Sequence, residues 1–367
     1  MSGSIIPDKL SNVTINSFRN NVLGWYDKNR RTLPWRALPG QTPDPYHVWL
    51  SEVMLQQTVV AAVIPYFLKF TSLWPTIHDL ACAPSDDVMK EWAGLGYYAR
   101  ARNLHKGAKF ISTEQGGLFP QDEKALKTIP GVGDYTAAAI LSIAFDKPSV
   151  VVDGNVERVM ARYFAIQEPL PMAKASIKKV AALLADGRPD RPSDYAQALM
   201  DIGATVCIPK APRCGLCPLS RSCRGKRAGI AANLPTKAVK KNKKIRYGHI
   251  YWVENKKEGL VLLERRPDKG LLGGMMAFPT TEWGERNIIT HNPDVLEIGK
   301  PQIMKGYVIK HSFTHFDLEL QGFSVKASKR ISLTKKAPYS WVSTSNIKKS
   351  GLPSVFQKFA VIVSENK

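Results

Sequence analysis

The middle of the N-terminal half reads Leu126-Lys-Thr-Ile-Pro-Gly-Val-Gly133, and an apolar segment, Asp134-Tyr-Thr-Ala-Ala-Ala-Ile-Leu141, follows directly. Glycine at positions 131 and 133 permits a tight turn that exposes backbone N–H groups. The following segment is predicted to be a helix, and the positive end of its dipole would lie at the same turn. The pattern predicts a hairpin between two helices, where Gly131 and Gly133 can hold an anion such as a phosphate.

The whole chain has 367 residues and a formal charge of +21, from 52 Lys and Arg against 31 Asp and Glu. This length suits two ordinary domains, and 44% hydrophobic residues can form a core, which excludes a wholly disordered protein. No apolar stretch could span a bilayer, and residues 1–10 do not resemble a secretory signal. These features indicate a soluble, intracellular protein with a polyanionic partner, either nucleic acid or an anionic membrane surface.

Hydrophobic periodicity divides the chain into three parts. Apolar residues recur at helical spacing in residues 17–28, 47–70, 126–145, 150–164 and 175–184. Residues 247–253, 259–266 and 307–326 are rich in Val, Ile, Leu and aromatic residues with partial alternation, which favours strands, and residues 353–364 favour a closing helix. Between these parts, residues 224–246 hold nine Lys or Arg and no acid, which is typical of an exposed linker. We therefore predict an all-helical domain over 1–223, a basic linker over 224–246 and an α+β domain over 247–367.

Four of the five cysteines are closely spaced, in the order Cys207-x6-Cys214-x2-Cys217-x5-Cys223. In a reducing compartment, four thiols within 17 residues indicate a metal or iron–sulfur site. The spacing alone leaves zinc and iron open, because only one close pair is present and iron–sulfur loops vary more in spacing. The fifth, Cys82, lies in a helical context and is predicted to be a small buried side chain.

Two acidic residues have unusual neighbours. Glu52 lies in the apolar segment Val48-Trp-Leu-Ser-Glu-Val-Met-Leu55, and Asp153 follows a β-branched run and precedes Gly154. An apolar setting raises the pKa of a carboxyl group, so Glu52 is a candidate proton donor, and a second, ionised carboxylate can stabilise a developing cation. This pair would suit hydrolysis of a glycosidic bond. The simpler alternatives are an exposed helix position for Glu52 and a helix N-cap for Asp153.

Together these motifs and several others resemble the MutY family of adenine DNA glycosylases, within the helix-hairpin-helix superfamily of endonuclease III. The matching stretches are Leu33-Pro-Trp-Arg36, Tyr46-His-Val-Trp-Leu-Ser-Glu-Val-Met-Leu-Gln-Gln-Thr58, Gly94-Leu-Gly-Tyr-Tyr-Ala-Arg-Ala-Arg-Asn-Leu-His105, Ile129-Pro-Gly-Val-Gly133, Val152-Asp-Gly-Asn-Val156 and the four cysteines. The resemblance runs in the family's order from about residue 23 to residue 223. It implies an all-α helix-hairpin-helix domain with a 4Fe–4S loop, which favours iron over zinc at the cysteines.

The resemblance also implies an activity and a partner. Members of the family remove adenine paired with 8-oxoguanine or guanine in double-stranded DNA, so this partner, one 4Fe–4S cluster, action as a monomer and no membrane attachment are expected. Glu52 matches the glutamate that protonates adenine at N7, and Asp153 matches the aspartate that stabilises the sugar cation. Tyr135 replaces the nucleophilic lysine of endonuclease III-like enzymes, and a phenol cannot form the corresponding imine. The remaining matches are Gln57 and Tyr97 as residues inserted into DNA, and Trp35, Arg36, Leu55 and Gln197 around the adenine pocket.

The C-terminal part resembles the family's Nudix-like domain through Leu262-Leu-Glu-Arg-Arg-Pro267 and Gly273-Gly-Met-Met-Ala-Phe-Pro279. The glutamate-rich helix that holds magnesium in Nudix hydrolases does not follow Pro279, so nucleotide hydrolysis is not expected. Phe313, Thr314 and His315 match the loop with which the family recognises 8-oxoguanine, although Thr314 stands where common members have serine. The same residues could otherwise form an ordinary strand turn.

Three other functions are compatible with parts of the sequence. An endonuclease III-like glycosylase/lyase would share the hairpin and the cysteine loop, but it would carry lysine at position 135. A non-catalytic DNA-binding protein would explain the charge and the cysteines but not Glu52 and Asp153. A Nudix-type hydrolase would need the missing glutamates.

Overall fold

The computed structural model describes residues 7–185, 190–238, 242–267, 270–286, 289–327 and 339–365. The chain divides into two compact units, of which unit 1 comprises residues 1–81 and 106–240, and unit 2 comprises residues 82–105 and 241–367. No helix in the described ranges has the length and apolar character needed to cross a membrane.

Unit 1 is helical. The helices up to residue 240 are α1 (Asn12–Asn29), α2 (Pro45–Leu55), α3 (Val60–Leu73), α4 (Ile77–Cys82), α5 (Ser85–Glu91), α6 (Ala99–Glu114), α7 (Glu123–Leu126), α8 (Asp134–Phe145), α9 (Gly154–Phe164), α10 (Lys174–Ala185), α11 (Pro192–Asp201) and α12 (Arg224–Arg227). The chain division assigns α5 and the first part of α6 to unit 2. The predicted all-helical class of this part of the chain is confirmed.

Two helices form the interior of unit 1. Eight of the eleven residues of α2 and eight of the twelve of α8 are buried, so both are apolar on nearly every face, as expected for core helices. They pack against each other, and α11 packs against α1, α8 and α9. A polar side chain on α2 or α8 is therefore removed from water unless it faces a cleft.

The region between α2 and α3 differs from the sequence prediction. The apolar periodicity favours one helical segment over 47–70, but α2 ends at Leu55 and α3 begins at Val60. The chain turns at Gln57, whose φ of 57° is in the left-handed region, and Thr58 N–H donates to the Leu55 carbonyl over 3.1 Å. Residues 56–59 contain neither Gly nor Pro, so the usual sequence signal for a helix end is missing.

Part of the predicted linker is folded within unit 1. Residues 224–227 form α12, Leu234 is buried, and Ala238 N–H donates to the Leu170 carbonyl over 3.1 Å. Of the remaining residues in the predicted linker, 239–241 lie outside the described residues, and 244–246 already belong to a strand. The exposed part of the linker is therefore shorter than the charge pattern predicts.

Unit 2 contains a six-stranded mixed sheet. The strands are β1 (Lys244–Asn255), β2 (Leu260–Arg265), β3 (Met276–Ala277), β4 (Gln302–Ser312), β5 (Phe316–Lys326) and β6 (Tyr339–Ser343), joined by α13 (Pro293–Ile298) and closed by α14 (Ser354–Glu365). Their order is β3-β2-β1-β5-β4, and β6 pairs with β2. β1 and β5 run parallel, whereas the other pairs are antiparallel.

Alternation along β1 divides the core of unit 2 into two clusters. Ile250 and Trp252 belong to the cluster that contains Phe356 and Phe359 of α14, whereas Tyr251 and Val253 belong to the cluster that contains Val295 of α13. Successive side chains of a strand point to opposite faces, so this sheet is covered by a helix on each side. The predicted α+β class and closing helix are confirmed.

Candidate active site

Glu52 is buried on α2, with 6% of its surface exposed. The helix starts at Pro45, and Asp44 caps it by accepting the Tyr46 N–H over 2.8 Å. The simple alternative of an exposed helix position for Glu52 is therefore wrong. A carboxyl group at this depth must be protonated, hydrogen-bonded or paired.

Tyr135 is the hydrogen-bonding partner of Glu52. Its hydroxyl donates to Glu52 Oε2 over 2.7 Å, because Tyr135 lies in the first turn of α8, which packs on α2. Asp153 also lies near enough to both groups for its charge to act on them. The structure thus brings together the three predicted catalytic residues from α2, α8 and the start of α9.

The environment of Glu52 sets its protonation. Burial raises the pKa of Glu52 to about 7, although the Tyr135 hydrogen bond lowers it; the charge of Asp153 raises it, and that of Arg36 lowers it. Burial also raises the pKa of Tyr135 well above the ordinary phenol value, and the negative charges of Glu52 and Asp153 raise it further. A carboxyl group with a pKa near neutrality can donate a proton at physiological pH.

Asp153 is the N-cap of α9, as the simpler alternative for this residue predicts. Its Oδ1 accepts the Val156 N–H over 2.7 Å, and its Oδ2 accepts a hydrogen bond from Asn155 Nδ2 over 2.8 Å. Arg158 in turn donates to Asn155 Oδ1 over 2.9 Å and, through Nε, to the Cys207 carbonyl over 2.7 Å. Both carboxylate oxygens are therefore held in place, and capping does not preclude a chemical role.

Arg36 lies against the end of α11 and Trp35 against α3, in contacts that the sequence does not reveal. Arg36 donates to both carboxylate oxygens of Asp201, Nη1 over 2.7 Å and Nη2 over 2.8 Å. Trp35 is buried with its ring edge-to-face against Phe67, at 5.3 Å between centroids. The bidentate ion pair with Asp201 fixes the guanidinium group of Arg36. The positive charge of Arg36 lowers the pKa of Glu52.

The other predicted pocket residues have different degrees of exposure. Leu55, the last residue of α2, is half-buried, and Gln57 is exposed. Gln197 on α11 is buried, and its Nε2 donates to Ser193 Oγ over 3.1 Å and to the Ser193 carbonyl over 3.3 Å. The amide hydrogens of Gln197 are thus directed at its own helix. Its side-chain oxygen is the group that could accept a hydrogen bond from a ligand.

The predicted hairpin is present between α7 and α8. Gly131 has a φ of 84°, which favours glycine, and Gly133 is the N-cap of α8. Lys127 pairs with Asp134 at 2.7 Å in the first turn of α8. The hairpin thus combines open backbone geometry with a nearby cation.

The four clustered cysteines line one cavity: Cys207, Cys214, Cys217 and Cys223. Arg162, buried on α9, supports this loop with hydrogen bonds to the carbonyls of Ile208 (2.7 Å) and Pro209 (2.6 Å) and to Cys207 Sγ (3.4 Å). No three His, Cys, Asp or Glu side chains in the described ranges form a group suited to a single metal ion. The prediction for Cys82 was wrong, because this thiol is exposed near the end of α4.

The loop between β4 and β5 contains Phe313, Thr314 and His315. Phe313 stacks on Trp283, and the loop closes with a 2.9 Å hydrogen bond from Phe313 N–H to the Phe316 carbonyl. Thr314 and His315 are exposed. The Thr314 hydroxyl lies 3.4 Å from the Tyr97 hydroxyl within unit 2. Tyr97 is 46% exposed, whereas the neighbouring Tyr98 is buried.

Comparison with known proteins agrees with this arrangement. Residues 50–184 match the family model for HhH-GPD superfamily base excision DNA repair proteins, and residues 249–360 match that for the NUDIX domain. An adenine DNA glycosylase from Mus musculus is 34% identical over 94% of this chain and 77% of its own length. The chain belongs to the adenine DNA glycosylase family.

Other relatives support this membership of the adenine DNA glycosylase family. The adenine DNA glycosylase of Buchnera aphidicola subsp. Schizaphis graminum is 34% identical over 95% of the chain and 99% of its own length. The structure of a thermostable thymine-DNA glycosylase is similar over 59% of this chain and 98% of that one, with 30% identity and a TM-score of 0.52. The chain is therefore an adenine DNA glycosylase of base excision repair, with a Nudix-like C-terminal domain.

Sequence reasoning missed the residues that hold the predicted ones in place: Arg31, Asn155, Arg158, Arg162 and Asp201. Arg31, Arg158, Arg162 and Asp201 act through contacts that join distant parts of the chain, whereas Asn155 acts locally on the side chain of Asp153. The one available signal was for Asp201, an acid within Ala198-Leu-Met-Asp-Ile-Gly203, whose apolar setting is similar to that of Glu52.

Proposed function

We propose that this adenine DNA glycosylase hydrolyses the N-glycosidic bond of adenine opposite 8-oxoguanine or guanine, after the adenine has been rotated out of the duplex. The main support is the buried Glu52 carboxyl, whose pKa is raised to about 7 by burial. The helical part of the chain, which continues to residue 238, would perform the chemistry, and the part from β1 onward would read the opposite base. Of the predicted linker over 224–246, the residues between these two parts would join the domains.

Glu52 would be the general acid. Its proton would pass to N7 of the adenine, the C1′–N9 bond would break with its electron pair moving to the base, and water would add to C1′. The water proton would return to the Glu52 carboxylate, which completes the cycle. Tyr135 supports this role because its hydroxyl fixes the orientation of Glu52 Oε2.

Asp153 would stabilise the positive charge that develops on the sugar. The hydrogen bonds from Val156 N–H and Asn155 Nδ2 fix both of its oxygens, so its negative charge needs no reorientation during the reaction. Tyr135 also makes the enzyme monofunctional in this proposal, because it supplies no amine for a Schiff base.

Several exposed or half-buried groups would hold the DNA. Rotation of the adenine out of the duplex costs roughly a few kcal/mol of unstacking. Gln57 and Tyr97 would enter the duplex and fill the gap that the adenine leaves. The pocket would be lined by Trp35, Arg36, Leu55 and Gln197. The hairpin at Gly131 and Gly133 would hold a phosphate through backbone N–H groups.

The β4–β5 loop would read the base opposite the adenine. Thr314 and His315 are exposed and offer a hydroxyl and an imidazole, and Phe313 anchors the loop on Trp283. The glutamate pattern that holds magnesium in Nudix hydrolases is missing from the sequence after Pro279. We propose recognition without nucleotide hydrolysis for this domain.

Cys207, Cys214, Cys217 and Cys223 would hold one 4Fe–4S cluster. All four line one cavity, and a 4Fe–4S cluster is held by four thiolates. The cluster would fix the loop and would contribute no reacting group. Purified protein should contain iron and absorb in the visible range, and stoichiometric zinc without iron would contradict this assignment.

We further propose that the enzyme acts as a monomer inside the cell, at the nucleoid if the source is bacterial. All groups assigned to the reaction come from one chain. No membrane is involved in this proposal.

The test of this function is a single-turnover assay on three duplexes, with adenine opposite 8-oxoguanine, adenine opposite thymine, and thymine glycol opposite adenine. We expect adenine release from the first duplex and much less from the second. The third should remain intact. Excision of thymine glycol, or efficient trapping of a covalent complex by borohydride, would instead support a glycosylase/lyase.

A further inference from the structure

Asp201, the last residue of α11, is a completely buried carboxylate held by two arginines. Besides the bidentate contact with Arg36, its Oδ1 accepts from Arg31 Nε over 2.6 Å and its Oδ2 from the Arg31 backbone N–H over 3.0 Å. Burial opposes ionisation, but the hydrogen bonds and charges of Arg36 and Arg31 lower the pKa of Asp201. The cluster therefore combines two cations and one anion.

One member of this cluster, Arg36, acts on the proposed acid. The Arg36 side chain is 6% exposed, so its interactions are weakly screened by water, and its charge favours the ionised form of Glu52. Asp201 opposes that effect, because it neutralises Arg36 and directs both Nη groups at itself. Without Asp201 the charge of Arg36 would be uncompensated, and this charge acts on a carboxyl group that must keep its proton.

Other groups also act on Glu52 and must be constant in any comparison. Tyr135 faces it from α8, and Asp153 acts from the start of α9. The other helix packed on α2 is α3, which carries Tyr66 and Lys69. Variants confined to the Arg31–Arg36–Asp201 cluster leave all of these groups unchanged.

We propose that Asp201 is a positioning residue that holds Arg36 and neutralises its charge, so that Glu52 carries its proton at neutral pH. The inference rests on the proposed role of Glu52 as the general acid. In this proposal Asp201 influences the reaction through Arg36 and does not contact the substrate. It also gives Arg31 a defined role, as the second cation of the cluster.

Two substitutions should move the pH dependence of adenine release in opposite directions. Asp201→Asn leaves the charge of Arg36 uncompensated, so the midpoint of the alkaline limb should fall by about one pH unit. The rate at pH 8, expressed as a fraction of each enzyme's acid plateau, should then be about tenfold lower than in the wild type. Arg31→Gln leaves one cation and one anion, so the midpoint should rise. Single-turnover rates on the duplex with adenine opposite 8-oxoguanine, from pH 5 to 9, measure both midpoints.

The design separates a role in proton retention from simple damage to the fold. Loss of buried hydrogen bonds would lower the whole curve in both variants without moving their midpoints apart. Asp201→Glu retains the negative charge and should restore the wild-type midpoint. If Asp201→Asn does not fold, as judged by thermal unfolding, the shift in Arg31→Gln and its absence in Asp201→Glu decide the question.

The proposal is overturned if the folded variants share the wild-type midpoint or shift in the same direction. Failure of the proposed function would look different, because the wild-type enzyme would then release no adenine at any pH. Opposite shifts with an intact wild-type activity support both.

Discussion

The Glu52 site on α2 and the Thr314 loop between β4 and β5 place their functional groups in opposite environments. Glu52 is buried, hydrogen-bonded to Tyr135 and surrounded by fixed charges, so its protonation is set before any DNA arrives. Thr314 and His315 are exposed on a hairpin loop. The chemistry is thus pre-organised by the protein core, whereas recognition of the opposite base would acquire its dry environment only when DNA covers the loop.

The largest effect of this difference is expected at Glu52. Glu52→Gln removes the proton donor but keeps an acceptor for Tyr135, so adenine release should fall by roughly three orders of magnitude, within the range for loss of a general acid. Single-turnover kinetics measure the loss, and binding to lesion DNA should be nearly unchanged. Near-normal release by this variant would exclude the assigned role.

The same variant should be more stable than the wild type at alkaline pH. The pKa of Glu52 is about 7 in the folded protein, against 4.5 for the ordinary side chain. As pH rises between these values, the unfolded chain ionises first, so the free energy of unfolding decreases. An uncharged Gln avoids this cost, which amounts at most to about 3 kcal/mol above pH 7. Chemical denaturation should show a much larger gain at pH 8 than at pH 5, where only a small part of the cost has accumulated.

Asp153→Asn should lower adenine release by about two orders of magnitude through loss of the negative charge. Asparagine is as good an N-cap as aspartate, so α9 should remain capped and the unfolding temperature nearly unchanged. Comparison of rate and unfolding temperature in one preparation separates the charge from the cap. A large drop in unfolding temperature would mean that the variant disturbs the fold, for example through the Asn155 hydrogen bond to Oδ2, and the loss of rate could not be assigned to the charge.

The pH dependence of the wild type is a further measure of pre-organisation. In the proposed mechanism the protonated form of Glu52 is the active one, so the rate should be constant well below its pKa of about 7 and fall tenfold per pH unit above it. Rates between pH 5 and 9 under single-turnover conditions measure this limb. A flat profile up to pH 9 would mean that another group supplies the proton.

The smallest effect is expected at the exposed loop. Thr314→Val keeps the shape of the side chain but removes the hydroxyl, so the preference for adenine opposite 8-oxoguanine over guanine should fall by less than about tenfold, as for one hydrogen bond of roughly 1 kcal/mol. Thr314→Ser is the matched control and should retain the preference. Loss of the preference in Thr314→Ser together with its retention in Thr314→Val would attribute the effect to the methyl group instead.

The sequence was sufficient for what depends on local patterns. The two fold classes follow from periodicity, and Glu52 could be recognised from its apolar neighbours because burial depends mainly on the surrounding helix. The Asp201 cluster could not be found in this way, because Arg31 and Arg36 meet Asp201 across more than 160 positions of sequence. The folding of residues 224–238 was also missed, since the buried partners of Leu234 lie elsewhere in the chain.

The two residues proposed to enter the DNA, Gln57 and Tyr97, share an unfavourable backbone geometry, with φ values of 57° and 48°. For side chains other than glycine this conformation costs roughly 1–2 kcal/mol. Glycine would relieve that cost, yet it would remove the very atoms that must occupy the emptied space in the helix of DNA. At these two positions, any stabilised version of the enzyme obtained by glycine replacement should therefore be a poorer repair enzyme.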